Sequence, residues 1–354
     1  MVQWKALKNI FRTTLFFVAL SIVLSCSATS RDNDVITLRV HHLMPPTSVA
    51  QKQFLEPWAK QIEAESGGRF NVEIYPAMLL GGSPTQLFDQ VRDGVVDLAW
   101  TVTGYTPGRF PLVEVFELPF VSASAEVTNQ ALQTFYEKHL VEEFQAVHPI
   151  LLHVHAPGKF HMNGKAIQSL EDLKGLKIRA PTRVTNKALQ LLGATPIGMA
   201  VPEVPEALAK GVVDGTLLPY EGALALRIHE LTDTHTEIGG ERGLYTSIFL
   251  LAMNKNKYES LPDNLKQVID NHSGMAMAQA VGKVWDQAEL TGLEAAQGTF
   301  YQIEGEELER WKAVTAPVID SWIADIEAQG KDGRAILNDA RTLINQYHSE
   351  ARSQ

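Results

Sequence analysis

The sequence Gly-Val-Val-Asp occurs twice in this chain, at 94–97 and 211–214, and both copies follow the same succession of predicted elements. A β-branched run, an amphipathic helix and an alternating run predict strand, helix and strand over 35–75, and a further helix precedes the first copy. The segment 176–210 repeats this order before the second copy. Because strands alternate with helices, we predict an α/β protein with parallel sheets covered by helices, in two domains built on one plan.

The last third of the chain is predicted to be helical. Apolar residues recur over 261–297 with few helix breakers, which predicts one long or kinked helix lying across both domains. Long segments that return between domains imply several crossovers and therefore a hinge. We predict that domain I comprises 35–156 plus about 245–284 and that domain II comprises 157–244 plus about 285–354.

Composition excludes several classes of protein. The chain has 354 residues, with 31 Lys and Arg against 41 Asp and Glu, which gives a formal net charge of −10. The basic footprint of a nucleic-acid-binding protein is therefore missing, and we expect no nucleic-acid partner. Because Cys26 is the single cysteine, an internal disulfide, a cysteine-only zinc site and a cysteine nucleophile in the mature domains are excluded.

The first 28 residues have the pattern of an export signal. Three basic residues within 1–12 precede a ten-residue apolar run at 15–24, which is short for a membrane span. Cys26 and Ala28 have the small-x-small spacing that signal peptidase cleaves, while the residues ending at Cys26 form an imperfect lipobox that would place a lipid on that cysteine. An uncleaved anchor is the third reading. In the first two cases the mature protein is periplasmic, either free or anchored through Cys26.

Motifs of common enzymes are missing from the sequence. It contains no Gly-x-Ser-x-Gly, no Walker A motif, no His-Glu-x-x-His and no Gly-x-Gly-x-x-Gly after a strand. The most enzyme-like feature is the pair His153 and His155, whose imidazoles are predicted to share one strand face and could bind zinc with a third ligand. We expect hydrogen-bonded histidines instead, and hence no metal, no cofactor and no enzymatic activity.

Arg179 is the residue most indicative of ligand binding. It lies at the carboxyl end of a short apolar strand, and ligands of open α/β sheets bind at the carboxyl ends of strands. A guanidinium at that point can hold a carboxylate through two hydrogen bonds. A surface ion pair is the alternative that the spacing leaves open.

At this point the sequence resembles a known family, the solute-binding proteins of tripartite ATP-independent periplasmic (TRAP) transporters of the dicarboxylate-binding (DctP) type. The resemblance covers nearly all of the mature chain. The motifs that carry it, in order, are Leu80-Gly81-Gly82, Gly94-Val95-Val96-Asp97, Glu117-Leu118-Pro119-Phe120, the run Leu170 to Pro181 with Lys177-Ile178-Arg179, Leu192-Gly193-Ala194-Thr195-Pro196 and Gly211-Val212-Val213-Asp214-Gly215.

The resemblance implies a fold, a function and partners. It implies a two-domain periplasmic-binding-protein fold of type II-like organisation, with a hinge and a long helix spanning both domains. It also implies that the protein captures an organic acid between the domains and delivers it to TRAP membrane permease subunits. In this family the arginine of the Lys-Ile-Arg motif holds the ligand carboxylate, which assigns that role to Arg179. We expect a monomer, with a dimer through the C-terminal helix as the alternative.

Two departures from the family pattern concern the ligand. Where many members have an asparagine before the proline that follows Val-Val-Asp-Gly, this chain has Leu218, and Lys159 falls near a position at which many members have arginine. Leu218 and Tyr220 favour a less polar pocket. We therefore expect a monocarboxylate with an apolar or aromatic body, or a keto acid, rather than a sugar acid or a C4-dicarboxylate.

Further cleft residues are predicted from their positions at strand ends. These are His42 after the first strand, Trp100, Thr101 and Tyr105 after the first Gly-Val-Val-Asp, and His155, with packed or lip residues as the alternative. Two other functions stay open at this level. One is a metal-dependent periplasmic hydrolase using His153 and His155, and the other is a ligand-sensing subunit that docks on a receptor.

Overall fold

The computed structural model of the protein describes residues 34–353, so the predicted signal over 1–28, including Cys26, lies outside the described residues. Within that range eleven strands form two sheets: β1 (Ile36–His42), β2 (Phe70–Tyr75), β3 (Leu98–Val102), β4 (His148–Val154), β5 (Lys159–Met162), β6 (Lys177–Ala180), β7 (Thr195–Gly198), β8 (Gly215–Leu218), β9 (Thr234–Ile238), β10 (Ile248–Met253) and β11 (Thr299–Ile303). The α-helices are α1 (Glu56–Glu65), α2 (Leu87–Arg92), α3 (Ala125–Phe135), α4 (Arg183–Leu191), α5 (Val204–Ala209), α6 (Tyr220–Ala225), α7 (Lys255–Glu259), α8 (Asp263–Asn271), α9 (Gly274–Ala295), α10 (Gly305–Glu327) and α11 (Gly333–Ala351).

The two sheets share one core topology. The first has the order β2-β1-β3-β10-β4 and the second β11-β9-β5-β8-β6-β7. In both sheets a strand–helix–strand–helix–strand unit is parallel, β1 to β3 in the first and β6 to β8 in the second. The predicted α/β class and the two-domain periplasmic-binding fold are confirmed.

The sheets are mixed, whereas the sequence predicted parallel sheets. Strand β10 is antiparallel to both β3 and β4, and β5 is antiparallel to both β8 and β9. Both inserted strands follow a short passage between the sheets, at 155–158 and 239–247. A strand that enters a sheet directly from the other domain runs against its neighbours, because no helix has returned the chain to the starting edge.

The repeated aspartate has the same structural role in both sheets. Asp97 Oδ2 accepts a hydrogen bond from the backbone N–H of Arg39 at 2.9 Å, and Asp214 Oδ2 accepts one from the backbone N–H of Lys177 at 2.8 Å. Each aspartate directly precedes one parallel strand and thereby joins it to the backbone of the neighbouring parallel strand. The two copies of Gly-Val-Val-Asp are thus structural equivalents.

The long helix predicted over 261–297 is divided in two. It breaks between α8 and α9, where Gly274 has a φ of +70°, a conformation that glycine adopts without strain. Helix α9 packs against α3 and β4 on the first sheet and against α6 on the second. A long helix spanning both domains is therefore present, and it starts at residue 274.

The C-terminal helix lies elsewhere than the predicted domain partition implies. That partition assigned 285–354 to domain II, but α11 packs against α3 of the first domain as well as against α10. The hydroxyls of Tyr347 and Thr134 are hydrogen-bonded at 2.8 Å across this contact. Within residues 34–353, none of the helices combines the length and the apolar composition that crossing a bilayer requires.

Candidate ligand-binding site

The candidate site is a gap between the two domains, bordered by the carboxyl ends of β3, β6 and β8. It encloses about 500 Å³ of empty space, including the part that opens to solvent. We call it the interdomain gap. Its lining residues are Met44, Ser48, Ala50, Trp100, Val102, Tyr105, His155, Arg179, Pro181, Val201, Leu218, Pro219, Glu221, Gly222, Ser247, Phe249 and Trp285.

Arg179 is a buried cation that forms hydrogen bonds to neutral groups. It is 1% exposed, and its Nε donates to the carbonyl of Met199 at 3.1 Å while Nη1 donates to the carbonyl of Leu217 at 3.0 Å. Its Nη2 lies 3.5 Å from the hydroxyl of Tyr105. A guanidinium has five N–H groups, so one on each terminal nitrogen is left for a ligand. Because a buried charge without a counter-charge is costly, the site favours an anion.

Tyr105 brings a hydroxyl from the first domain to the same point. Its oxygen accepts a hydrogen bond from the backbone N–H of Val201 at 2.8 Å, in addition to the contact from Arg179. Burial raises the pKa of Tyr105, so its hydroxyl keeps its proton at neutral pH. Since the oxygen is already an acceptor, this proton is available to donate to an anion held by Arg179.

Three aromatic rings form one side of the gap, which we call the aromatic wall: Trp100, Phe249 and Trp285. The ring centroids of Trp100 and Phe249 are 4.6 Å apart with the ring planes 5° from parallel, and those of Trp100 and Trp285 are 6.5 Å apart. The indole N–H of Trp100 donates to Nε2 of His153 at 2.8 Å, which fixes its ring. Such a wall suits a flat apolar ligand.

The paired histidines are held neutral inside the protein. His155 accepts a hydrogen bond at Nε2 from the Ser247 backbone N–H at 3.1 Å, so its proton is on Nδ1 and is donated to the carbonyl of Ala156 at 2.6 Å. In His153, Trp100 donates to Nε2, and Nδ1 lies 3.3 Å from the carbonyl of Val154. Burial lowers the pKa of both to about 3.

These hydrogen bonds leave neither histidine of the pair a free nitrogen lone pair for zinc. Residues 34–353 contain no group of three or more His, Cys, Asp or Glu side chains placed to hold a metal ion. The geometry therefore offers no support to the alternative of a hydrolase with zinc on His153 and His155.

Lys159 and two acids form a network beside the gap. Lys159 Nζ is paired with Glu289 Oε1, and the other carboxylate oxygen of Glu289 accepts the backbone N–H of Glu221 at 3.0 Å. Lys159 also lies 5.4 Å from the ring centroid of Tyr220. Burial, reinforced by the charge of Glu289, raises the pKa of Glu221 to about 8. Glu221 lines the interdomain gap and is protonated at neutral pH.

The predicted site residues divide into two groups. The structure brings together Arg179, Tyr105, Trp100, His155 and Leu218 around the interdomain gap. The other four, His42, Thr101, Lys159 and Tyr220, are buried or nearly so but do not line it.

Each residue of the second group is engaged elsewhere. His42 is hydrogen-bonded to Gln51 and meets Trp100 edge-on, with the ring centroids 6.2 Å apart. Thr101 follows Trp100 on β3, so its side chain lies on the opposite face of the sheet. The ring of Tyr220 packs against the imidazole of His161, with the centroids 5.1 Å apart.

Among the lining residues that were not predicted as site residues, Phe249, Trp285 and Glu221 matter most for the chemistry of the gap. Phe249 is on β10, the inserted strand, and lies beside Trp100 because of that insertion. Trp285 is on α9, where the sequence indicated only an apolar helix position. Glu221 follows the predicted site residue Tyr220. An acidic residue next to a predicted anion-binding site was the sequence signal that could have identified it.

A second contact joins the domains outside the gap. Arg183, at the start of α4, donates from Nε to Glu114 Oε1 at 2.6 Å and from Nη2 to Oε2 at 2.5 Å. The Glu114 side chain is 7% exposed, and burial raises its pKa despite the opposing effect of Arg183. Together with the Tyr105–Arg179 contact, this pair links the two domains across their cleft.

Comparison with known proteins identifies the family of this chain. The model of the family described as "Bacterial extracellular solute-binding protein, family 7" (DctP) matches residues 40–325. A marine metagenome TRAP solute-binding protein, solved with 3-hydroxybenzoate and described as specific for aromatic acid ligands, is 47% identical and superposes with a TM-score of 0.87, covering 89% of this chain and 99% of its own. A TRAP solute-binding protein from Rhodoferax ferrireducens T118, solved with copurified benzoate, is 43% identical with a TM-score of 0.87, covering 90% and 100%.

A curated relative agrees with these solved structures. The C4-dicarboxylate-binding periplasmic protein DctP of Rhodobacter capsulatus is 26% identical over 88% of this chain and 92% of its own. Proteins of this family are periplasmic, and the relatives are solute-binding proteins rather than enzymes. The resemblance seen in the sequence is confirmed: this chain belongs to the bacterial extracellular solute-binding protein family 7, as the TRAP transporter subunit that captures an organic acid and delivers it to the membrane permease.

Proposed function

We propose that this protein captures an aromatic monocarboxylate of the benzoate class. The observation that carries the proposal is Arg179, a buried cation with neutral partners at one end of a gap whose side is the aromatic wall. The relatives solved with 3-hydroxybenzoate and benzoate support the same class of ligand.

In this proposal the carboxylate of the ligand accepts the two remaining N–H groups of Arg179 and the hydroxyl of Tyr105. The ring of the ligand lies between the aromatic wall and the aliphatic side chains of Val201 and Leu218. Charge-assisted hydrogen bonds fix the orientation and burial of the ring supplies apolar free energy. A second carboxylate on the ligand would be buried without a cation of its own, so we expect dicarboxylates to bind poorly.

Closure of the two domains completes the site. Tyr105 comes from domain I and Arg179 from domain II, so only the closed form offers both groups to one carboxylate. The ligand therefore shifts the open–closed equilibrium by its extra affinity for the closed form. We assign 35–156 plus about 245–284 to domain I and 157–244 plus about 285–354 to domain II. Helix α11 is an exception within the second range, because it packs against α3 of domain I.

We also propose that the mature protein acts in the periplasm as a binding protein without enzymatic activity. Signal peptidase cleavage after Ala28, lipidation of Cys26 and an uncleaved anchor are the three alternatives for its N-terminus. The intact mass of the protein purified from its membrane and periplasmic fractions distinguishes them, because a lipid on Cys26 adds mass and retains the protein on the membrane.

Isothermal titration calorimetry with benzoate tests the proposed ligand class. We expect Arg179→Ala to weaken benzoate binding by about 100-fold or more, because two charge-assisted hydrogen bonds are lost at about 1.5–3 kcal/mol each. Arg310→Ala is the matched control, since Arg310 is an exposed arginine paired with Glu171 and Glu307 away from the gap. Tighter binding of succinate than of benzoate by the wild type, or unchanged benzoate affinity in a folded Arg179→Ala variant, would refute the proposal.

A further inference from the structure

Glu221 is an acid in the lining of a gap that receives an acid. It lies in the first turn of α6, three residues after Leu218, and is 8% exposed. An ionised carboxylate in the same enclosed space as a bound carboxylate would repel it. The presence of Glu221 therefore requires a role that a neutral carboxyl group can perform.

Burial, reinforced by the charge of Glu289, keeps Glu221 neutral. The cation nearest to it in the network, Lys159, is already paired with Glu289, so the three side chains comprise one base and two acids. Lys159 is the first residue of β5 and Arg179 is on β6, and these two strands lie on opposite sides of β8 in the sheet. Glu221 thus belongs to a polar end of the gap separate from the one that holds Arg179.

The neutral carboxyl retains hydrogen-bonding capacity toward the gap. The side chain of Trp285, which also lines the gap, acts on the carboxyl as a donor and lowers its pKa, but the effect of burial is larger. A protonated carboxyl has in addition an O–H donor and further acceptor capacity. Its neighbours in the chain that also line the gap, Leu218, Pro219 and Gly222, have no polar side-chain atom that could accept from that donor.

We propose that Glu221 selects aromatic acids that carry a hydroxyl group on the ring, by a hydrogen bond formed at the end of the interdomain gap away from Arg179. The inference rests on the proposed function, because it presumes that the carboxylate of the ligand binds Arg179. A phenolic hydroxyl both accepts and donates, so it satisfies the carboxyl. An unsubstituted or methylated ring leaves the buried O–H unpaired, and a site built to hydrogen-bond a hydroxyl discriminates strongly against such analogues.

The test is a titration of three proteins with matched pairs of ligands. The hydroxyl preference at a ring position is the dissociation constant of the methylbenzoate divided by that of the hydroxybenzoate, measured at positions 2, 3 and 4 by calorimetry. For the wild type we expect a preference of about tenfold or more at one position. In Glu221→Ala the preference falls to about one, and Glu221→Gln keeps it within about threefold of wild type because the amide retains a donor and an acceptor.

Four outcomes overturn the inference, and one of them also overturns the proposed function. A wild type that binds benzoate but shows no hydroxyl preference at any position contradicts the role of Glu221 and leaves the proposed function intact. A Glu221→Ala variant that melts like the wild type and keeps the preference does the same. A wild type that binds none of these acids refutes the proposed function and this inference with it. If Glu221→Ala does not fold, a Glu221→Gln variant that loses the preference contradicts the inference.

Discussion

The units β1–β3 and β6–β8 share one backbone plan but contribute different chemistry to the interdomain gap. The strand register makes them superposable residue by residue, since Val40 pairs with Leu98 one residue after Asp97, and Ile178 pairs with Gly215 one residue after Asp214. In this register His41 corresponds to Arg179.

Trp100 corresponds to Leu217 in the same register. Trp100 presents a ring to the gap, while Leu217 presents its backbone carbonyl to Arg179. A shared scaffold can therefore separate the two requirements of an aromatic acid site, with shape supplied by the first unit and charge by the second.

The partners of the corresponding residues explain this division. His41 donates from Nδ1 to Gln90 Oε1 at 2.7 Å and accepts the Leu80 backbone N–H at Nε2 at 3.3 Å, so both nitrogens are used within its own domain. Burial lowers the pKa of His41, which keeps it uncharged. Arg179 instead reaches Tyr105 of the other domain and keeps its charge. The two residues differ in where their hydrogen bonds are formed. His41 forms them within its own domain, whereas Arg179 has N–H groups available to the ligand and to the facing domain.

Helix α9 repeats the comparison along its own length. Near its middle, Gly282 lies against the start of α3, and Asp286 accepts the backbone N–H groups of Ala125 and Glu126 at 2.8 and 2.9 Å. Near its end, Gly292 lies against the start of α6, whose Glu221 N–H is accepted by Glu289. Both domains thus dock a helix N-terminus on a glycine and a carboxylate of the same helix.

The largest expected effect comes from filling these two glycine contacts. A Cβ at Gly282 would overlap the backbone of Ala125 and Glu126, and one at Gly292 would overlap the backbone of Tyr220. Because backbone atoms cannot rotate away, Gly282→Ala and Gly292→Ala should each lower the free energy of unfolding by about 1–3 kcal/mol, measured by urea denaturation. Thr291→Ala, an exposed change on the same helix, should stay within about 0.5 kcal/mol of wild type.

Ligand binding should separate the two glycine variants. Displacing α6 moves Glu221 and Gly222, which line the gap, so Gly292→Ala should weaken benzoate binding by about tenfold, whereas Gly282→Ala displaces α3 and should change it less than about twofold. An equal loss of affinity in both variants would mean that α9 transmits the disturbance along its whole length, and it would contradict the independence of the two contacts.

A smaller effect is expected from the repeated aspartates. Asp97→Ala and Asp214→Ala each remove a charged acceptor from a backbone N–H, so each should lower the free energy of unfolding by about 1–2 kcal/mol. The hydrogen bond from Lys177 lowers the pKa of Asp214, so its stabilisation is present above the unfolded-state pKa of about 3.8 and is lost as the pH falls through the folded-state value. Urea denaturation of the wild type and both variants at neutral and acidic pH measures this. A loss confined to one of the two positions would show that the repeat is not a structural equivalence.

The sequence was sufficient for the parts of the fold that rest on local order. The two copies of Gly-Val-Val-Asp and the strand–helix order before them predicted both parallel units, because hydrophobic period and turn residues are local signals. The insertion of β5 and β10 was not predicted. These strands are placed by pairing with segments about 50 to 150 residues away, and no local pattern encodes which edge or direction a crossover strand takes.

Site residues could be predicted from the sequence where they lie at the end of a strand. The prediction failed where side-chain direction or contacts between distant segments determine the position. Arg179, Trp100 and Tyr105 follow from strand-end positions and line the gap. Thr101 shares that position but faces away by alternation, and Lys159 is drawn to Glu289, which is 130 residues distant. Phe249 enters the site only through the antiparallel insertion of its strand. Pairing over such distances is fixed by packing and by charge, neither of which is local.

The smallest expected effect is an absence of pH dependence in ligand binding, which tests whether the first domain contributes no charge to the site. Since the pKa of His155 is about 3 and that of Glu221 about 8, neither group titrates between about pH 5.5 and 7. Calorimetry at constant ionic strength should therefore give one benzoate affinity across that range.

The contribution of the buried histidines to stability should behave differently over the same range. The unfolded chain binds a proton on each histidine near pH 6.5, but buried His153 and His155 do not until about pH 3, so their contribution to the free energy of unfolding falls as the pH drops below 6.5, while the raised pKa of Glu221 contributes with the opposite sign. Flat affinity over this range would mean that the imidazole of His155 lines the gap without charge, leaving Arg179 as the cation that binds the carboxylate. A tenfold rise in affinity toward pH 5.5 would instead mean that an imidazolium of the first domain binds the ligand, and the division between a shape-giving domain and a charge-giving domain would have to be abandoned.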